Sequence, residues 1–231
     1  MRNTLETYNQ TKSTGRLNPV EYDKIALLGA GGQARETREY ANRCGLEVSF
    51  WTAHGNYRPQ DSATKFVALE DLSIEDHAIP AICCVGAPGL KCELIETIKS
   101  DRYISVIAPN AYIAQDATIG VGVTVAPQVS ITSGAKIGSH VLINAGATIS
   151  HDVNIGDFST IGPGVHIGGN ATIGKGVVIG IGAVIKQGVK IGDHTYIGAN
   201  SLVLNDLENY VLAYGTPAKV QSKRQGWIDE L

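Results

Sequence analysis

From Ile107 to Val203 a β-branched residue recurs at every sixth position, seventeen times in succession and without a slip. The run begins Ile107, Ile113, Ile119, Val125, Ile131, Ile137 and ends Ile191, Ile197, Val203. Neither regular element has this repeat, since side chains return to one face about every 3.6 residues in a helix and about every 2 in a strand. A six-residue unit with two inward positions is a very short strand followed by a sharp turn. Three such units close a triangular coil of about 18 residues, and coils stack at the strand spacing of about 4.8 Å. Four residues after each Ile or Val sits a second inward position, small or β-branched, such as Ala117, Val123, Val129, Ala135, Val141, Ala147 and Val153. Nine of the seventeen are followed directly by Gly, which lets a corner adopt positive φ or approach its neighbour closely. The interior of such a coil has no room for rings. Tyr112, Phe158 and Tyr196 are the only aromatics between 107 and 203, and all three fall outside the inward registers. The segment is a parallel β-solenoid.

The first half is different. Lys24–Leu28 reads as a buried strand, followed by the turn Gly29-Ala-Gly-Gly-Gln-Ala34, a helix over 33–44 and a second strand at Glu47–Trp51. Ala81–Val85 reads as another strand and 89–100 as a helix, so residues 23–104 form a small Rossmann-like parallel α/β domain. Residues 1–22 are polar and aperiodic and read as a tail. The solenoid domain spans 105–208, and 209–231 closes it, with a short helix expected over the last dozen residues. The fold class expected is therefore α/β plus β.

Composition narrows the function. A net charge of −3 gives no electrostatic case for nucleic acid. No apolar run reaches about 18 residues, so no membrane span is expected. The N-terminus lacks a hydrophobic leader, and a cytoplasmic location is expected. Cys44, Cys83, Cys84 and Cys92 show neither a CxxC pair nor a disulfide framework, so buried free thiols are expected.

Gly29–Ala34 has the form GxGxxA, whose amides at a helix N-terminus can cradle a phosphate. A dinucleotide site would want a carboxylate after the second strand, and Trp51-Thr-Ala-His-Gly-Asn56 has none. A nucleotide or phosphate-bearing substrate fits the loop, beside the plainer reading of a tight strand–helix turn. The six histidines do not assemble into a metal set. His140 and His194 lie 54 residues apart, hence in one solenoid column but three coils distant, and His166 falls in another column. A surface position is the default for each of them.

His151 is the exception. It follows the inward Ile149 by two residues, so it projects from a corner, and Asp152 beside it can orient the ring. An imidazole is suited to take the proton of an attacking amine or hydroxyl, worth roughly 10²–10⁴ in rate. One coil later stands Gly169, whose N–H would be open to the same cleft as an oxyanion donor for a thioester carbonyl.

Gly29-Ala-Gly-Gly, Ile107-Ala-Pro-Asn-Ala-Tyr-Ile113, Ser150-His-Asp152, Gly169-Asn-Ala-Thr-Ile-Gly174 and Gly215-Thr-Pro-Ala-Lys219 together resemble the NeuD/PglD-type sugar acetyltransferases of the hexapeptide-repeat superfamily. The similarity covers residues 24–220. It implies a left-handed β-helix, acetyl-CoA as co-substrate with no metal, and a homotrimer with active sites between subunits. It also implies transfer of acetyl to the amino group of a nucleotide-linked amino-deoxy sugar destined for lipopolysaccharide or capsule. His151 matches the family's base and Asp152 its acidic helper. Acetyl-CoA contacts are implied at Asn144, Thr160, Gly169, Gly180, Ile181, Gly182 and Ala199. Sugar-nucleotide contacts are implied at Gly31, Gly32, Gln33, Thr52, Ala53, Gly86 and Ala87. There are three departures from the family: Gln33 and Thr160 each stand where it has His, and the pair Thr52 and Ala53 where it has an acidic pair. O-acetylation of a sialic-acid-like sugar, transfer of another acyl group, a non-catalytic solenoid and a zinc lyase are the alternative readings.

Overall fold

A computed structural model describes residues 8–9, 18–19, 22–54, 64–98, 100 and 102–231. Most of the expected tail, together with residues 55 and 56 after the second strand, lies outside the described residues. Within the tail only β1 (Tyr8–Asn9) and β2 (Asn18–Pro19) are described, paired antiparallel. The α/β domain runs β3 (Lys24–Leu28), α1 (Gly32–Arg43), β4 (Glu47–Ala53), β5 (Phe66–Ala68), α2 (Ile74–Ala78), β6 (Ala81–Cys83) and α3 (Pro88–Ile98). Its four strands are parallel in the order β5-β4-β3-β6. Successive side chains of β3 point to opposite faces. Ile25 and Leu27 join one buried cluster with Ala34, Ala41 and Trp51, while Ala26 and Leu28 join another with Phe50 and Leu94. Burial on both faces explains why Ile-Ala-Leu-Leu reads as one continuous apolar run.

The solenoid consists of seventeen two-residue strands, β7–β23, from Val106–Ile107 to Leu202–Val203. Each up to β20 pairs in parallel with the strand 18 residues later, as in Thr124↔Leu142 and Leu142↔Thr160. Three flat faces result. In every strand the second residue points inward, and Ile131, Ile143, Ile149, Ile161 and Ile179 have no exposed surface. The second inward register, Val123, Ala135, Ala147, Val153 and Val165, is equally sealed. Corner glycines are required by proximity. A Cβ on Gly156 would lie 2.6 Å from the backbone of Gly174 and Lys175 in the next coil.

The three faces differ in their outward residues. On the first, Val106, Thr124, Leu142, Thr160 and Val178 are all buried, although they point away from the solenoid core. The α/β domain covers them, with Lys91 of α3 reaching across to the carbonyls of His140 and Phe158. The third face carries Lys136, Asn154, Thr172 and Lys190, all exposed. Tyr40 of α1 packs against the solenoid core, near the open first coil.

Three expectations are corrected here. The last dozen residues form no helix. β24 (Val211–Gly215) extends the first face, β25 (Ala218–Lys223) returns antiparallel to it, and the chain then runs on as an irregular strap with a bend at Gly226. That strap seats Trp227 against His194 and Phe158, buries Ile228, and accepts the Gly89 N–H on the Ile228 carbonyl at 2.8 Å. Tertiary partners hold it in place of a helix. The second correction concerns His140 and His194, which are buried rather than superficial. They occupy the third vertex, where His140 stacks on Phe158 and His194 on Tyr210. All four cysteines are free, but only Cys83 and Cys84 are buried, while Cys44 and Cys92 are half-buried. No helix among the described residues is long and apolar enough to cross a membrane.

Candidate functional site

The sequence-predicted residues fall into four places. His151, Asp152 and Gly169 share the second vertex, between the second and third faces. His151 Nδ1 lies 2.9 Å from Asp152 Oδ2, and both side chains are more than half exposed. Asp152 reaches this position because it adopts φ +60, the left-handed conformation in which Asp is among the more tolerated residues. The carboxylate accepts the Nδ1 proton, which leaves the Nε2 lone pair free. The ring lies directly over Gly169 of the next coil, where an added Cβ would come within 2.6 Å of Cε1 and 2.9 Å of Cδ2. At the third vertex the matching backbone N–H groups of Ser139 and Lys175 donate to Asp157 and Asp193 at 2.7 and 2.8 Å. Gly169 N–H has no such acceptor among the described residues, and the ring of His151 packs against this residue.

Asn144, Gly180, Ile181, Gly182 and Ala199 occupy the first vertex. They stack as a ladder: a Cβ on Gly180 would lie 2.6 Å from Ala199 N, and Asn200 N–H donates to the Ile181 carbonyl at 2.7 Å. Ile181 is exposed between its two glycines. One edge of the triangle separates this vertex from His151, a span of six residues or roughly 20 Å.

Gly31, Gly32, Gln33, Ala53 and Gly86 are brought together. They line one cleft of about 350 Å³ at the C-terminal ends of β3, β4 and β6, with Val85, Leu90 and Leu94 as an apolar wall. α1 begins there with Gly31 as a bare cap and no acidic residue in its first turn, so its dipole and free amides face the cleft unneutralised. His54 also lines the cleft, with Nε2 3.5 Å from Glu93 Oε1. Sequence reasoning passed over His54, Leu90 and Leu94. The rule that ligands sit past the carboxyl ends of parallel strands would have flagged His54, one residue beyond β4. Thr52 and Ala87 do not line the cleft. Thr52 is fully buried in the sheet, and its carbonyl accepts the Gly29 N–H at 2.7 Å.

Thr160 stands apart from the other residues expected at acetyl-CoA. It is buried at the seam of the two domains, with its hydroxyl donating to the Gly86 carbonyl at 2.6 Å and accepting from Lys91 Nζ at 3.3 Å. Among the described residues no group of three His, Cys, Asp or Glu side chains could hold a metal ion.

Residues 134–169 and 170–205 match the family model described as bacterial transferase hexapeptide (six repeats). Among curated proteins none matches the chain by sequence. Solved structures do. The acetyltransferase domain of PglB from Neisseria gonorrhoeae is 26% identical, with a TM-score of 0.78 over 86% of this chain and 100% of that one. A mutant perosamine N-acetyltransferase from Caulobacter crescentus, solved with CoA and GDP-perosamine, is 26% identical, with a TM-score of 0.80 over 87% and 97%. WeeI from Acinetobacter baumannii shares the fold at 23% identity and a TM-score of 0.74, over 85% and 98%. The resemblance seen in the sequence and the left-handed β-helix it implies are both supported.

Proposed function

We propose, from the match of residues 134–205 to the bacterial transferase hexapeptide model, that the protein transfers an acetyl group from acetyl-CoA to the amino group of a nucleotide-linked amino-deoxy sugar. The observation that carries the reading is the His151–Asp152 pair held over Gly169. The acceptor amine attacks the thioester carbonyl. His151 Nε2 takes the amine proton, Asp152 holds the other ring nitrogen, and the Gly169 N–H stabilises the oxyanion. Collapse of the tetrahedral intermediate expels the CoA thiolate, which takes back the proton from the imidazolium. No covalent enzyme intermediate is needed.

Acetyl-CoA is read at the first vertex, along Asn144, Gly180–Gly182 and Ala199, and the acceptor in the Gly31–Gln33 cleft, its diphosphate on the α1 N-terminus. The CoA and GDP-perosamine in the complex of the Caulobacter crescentus protein support these two classes of substrate. The acceptor cleft and His151 of one chain lie on opposite sides of the solenoid. The α/β domain covers the first face, and His151 sits on the vertex opposite. The reading therefore calls for neighbouring subunits, closed as a homotrimer, each presenting its His151 to another's substrates. Such products supply surface glycans, lipopolysaccharide or capsule, from the cytoplasm.

The test is CoA thiol release with nucleotide amino sugars. His151→Ala should lower turnover by roughly 10²–10⁴ while the oligomer stays intact. Wild-type turnover in that variant would remove the base assignment. Release only with hydroxyl acceptors would move the reading to O-acetylation.

A further inference from the structure

The β6–α3 loop, Gly86–Gly89, opens α3, and its first residue, Gly86, lines the acceptor cleft. It carries no grip of its own, because Gly86, Ala87, Pro88 and Gly89 offer no polar side chain. Three outside groups hold it instead. Thr160 reaches from the first face of the solenoid and donates its hydroxyl to the Gly86 carbonyl at 2.6 Å. Lys91, fully buried one turn into α3, donates to that same hydroxyl at 3.3 Å and to the His140 carbonyl at 2.9 Å. From the other side the C-terminal strap closes on the loop. Ile228 takes the Gly89 N–H at 2.8 Å, and Leu231 lies where a Cβ on Gly86 would be, 2.6 Å from its Cδ1. Gly86 is thus clamped between a solenoid hydroxyl and a strap side chain, and its neighbours Val85 and Leu90 line the cleft.

We propose that Thr160 is a positioning residue for the acceptor, fixing Gly86 in the wall of the cleft from the solenoid, with Leu231 of the strap as its counterpart on the opposite side. This rests on the reading of that cleft as the nucleotide site. It transfers Thr160 from the acetyl-CoA side of the reaction to the acceptor side. A hydroxyl whose one proton is already given to a carbonyl, at a buried seam, has none to donate to a thioester carbonyl.

Calorimetry on the full chain separates the two sides, with GDP, UDP and dTDP as acceptor probes and CoA as the donor probe. Thr160→Val keeps the shape and removes the donor, leaving the Gly86 carbonyl unpaired. It should weaken the nucleoside diphosphate that the wild type binds by about tenfold, with CoA affinity changed less than twofold. Thr160→Ser should restore wild-type nucleotide binding. Leu231→Ala alters an exposed side chain and leaves the fold intact, so it should weaken the same nucleotide about threefold. Nucleotide binding unchanged in Thr160→Val and Leu231→Ala, or CoA binding weakened in place of it, overturns the proposal. A wild-type chain that binds none of the three nucleotides overturns the cleft reading as well.

Discussion

Replacing Gly169 by Ala tests the geometry of the base without touching the base. Gly169 does not have positive φ, so its backbone accepts Ala without strain. The new Cβ would lie 2.6 Å from His151 Cε1 and 2.9 Å from Cδ2, where carbon contacts settle near 3.5 Å. One of the two must yield by about 1 Å. The Gly169 backbone is fixed, because its carbonyl accepts the Gly188 N–H at 2.9 Å and its neighbour Gly168 pairs with Ile185. The His151 ring is half exposed and free to swing. It should leave its place, stretching the 2.9 Å bond to Asp152. A misplacement of about 1 Å costs about 10²-fold in rate. Steady-state thiol release should therefore fall about a hundredfold. The melting temperature should stay or rise slightly, since Ala restricts the unfolded chain. His151→Ala combined with Gly169→Ala should be no worse than His151→Ala alone, because both changes act on one group and Ala keeps the backbone N–H. Activity within threefold of wild type in Gly169→Ala would refute the placement of the ring over that glycine. Multiplying losses in the double variant would show that Gly169 acts independently of His151.

Glycine substitutions elsewhere should rank by what their Cβ meets. Gly156→Ala meets backbone of the next coil at 2.6 Å and should cost about 2–3 kcal/mol, whereas Gly146→Ala meets nothing but sits at φ +70 and should cost about 1 kcal/mol; thermal melts showing the reverse order would contradict this packing. Stability should also fall in acid. Burial, then the nearby Lys91 ammonium, hold the His140 imidazole at about 4 against the ordinary 6.5. Between those values the unfolded chain binds a proton that the folded chain refuses. The contribution is thus complete above pH 6.5 and declines by about 3 kcal/mol toward pH 4. Burial likewise lowers Lys91 from 10.5 to about 8, so stability should climb again between pH 8 and 10.5. Urea titrations across pH should show a shallower acid limb in His140→Phe than in wild type, and equal limbs would exclude His140 as the cause.

The period of six settled the solenoid from sequence alone because an inward position in a narrow coil admits only Ile, Val, Ala and their like. Every residue from Ile107 to Val203 is thereby assigned a face or a corner. The same logic placed His151 on a vertex and Gly169 above it, since stacking by 18 residues is a consequence of the repeat. The Gly29–Ala34 turn was equally legible, because its glycines mark a strand passing into a helix. Outward positions carry no such signature. Thr160 and Thr172 look alike in sequence, yet one is buried beneath α3 and the other is exposed. His140 and His194 read as surface histidines until Tyr103, Trp227 and Tyr210 close over them. The strap that was expected to be helical is instead held as irregular chain by contacts on two domains. Repetition along the chain determines what faces inward, where the environment is the repeat itself. What covers an outward residue depends on a segment distant in sequence, and only the docking of the α/β domain and the strap onto the first face and third vertex decides it.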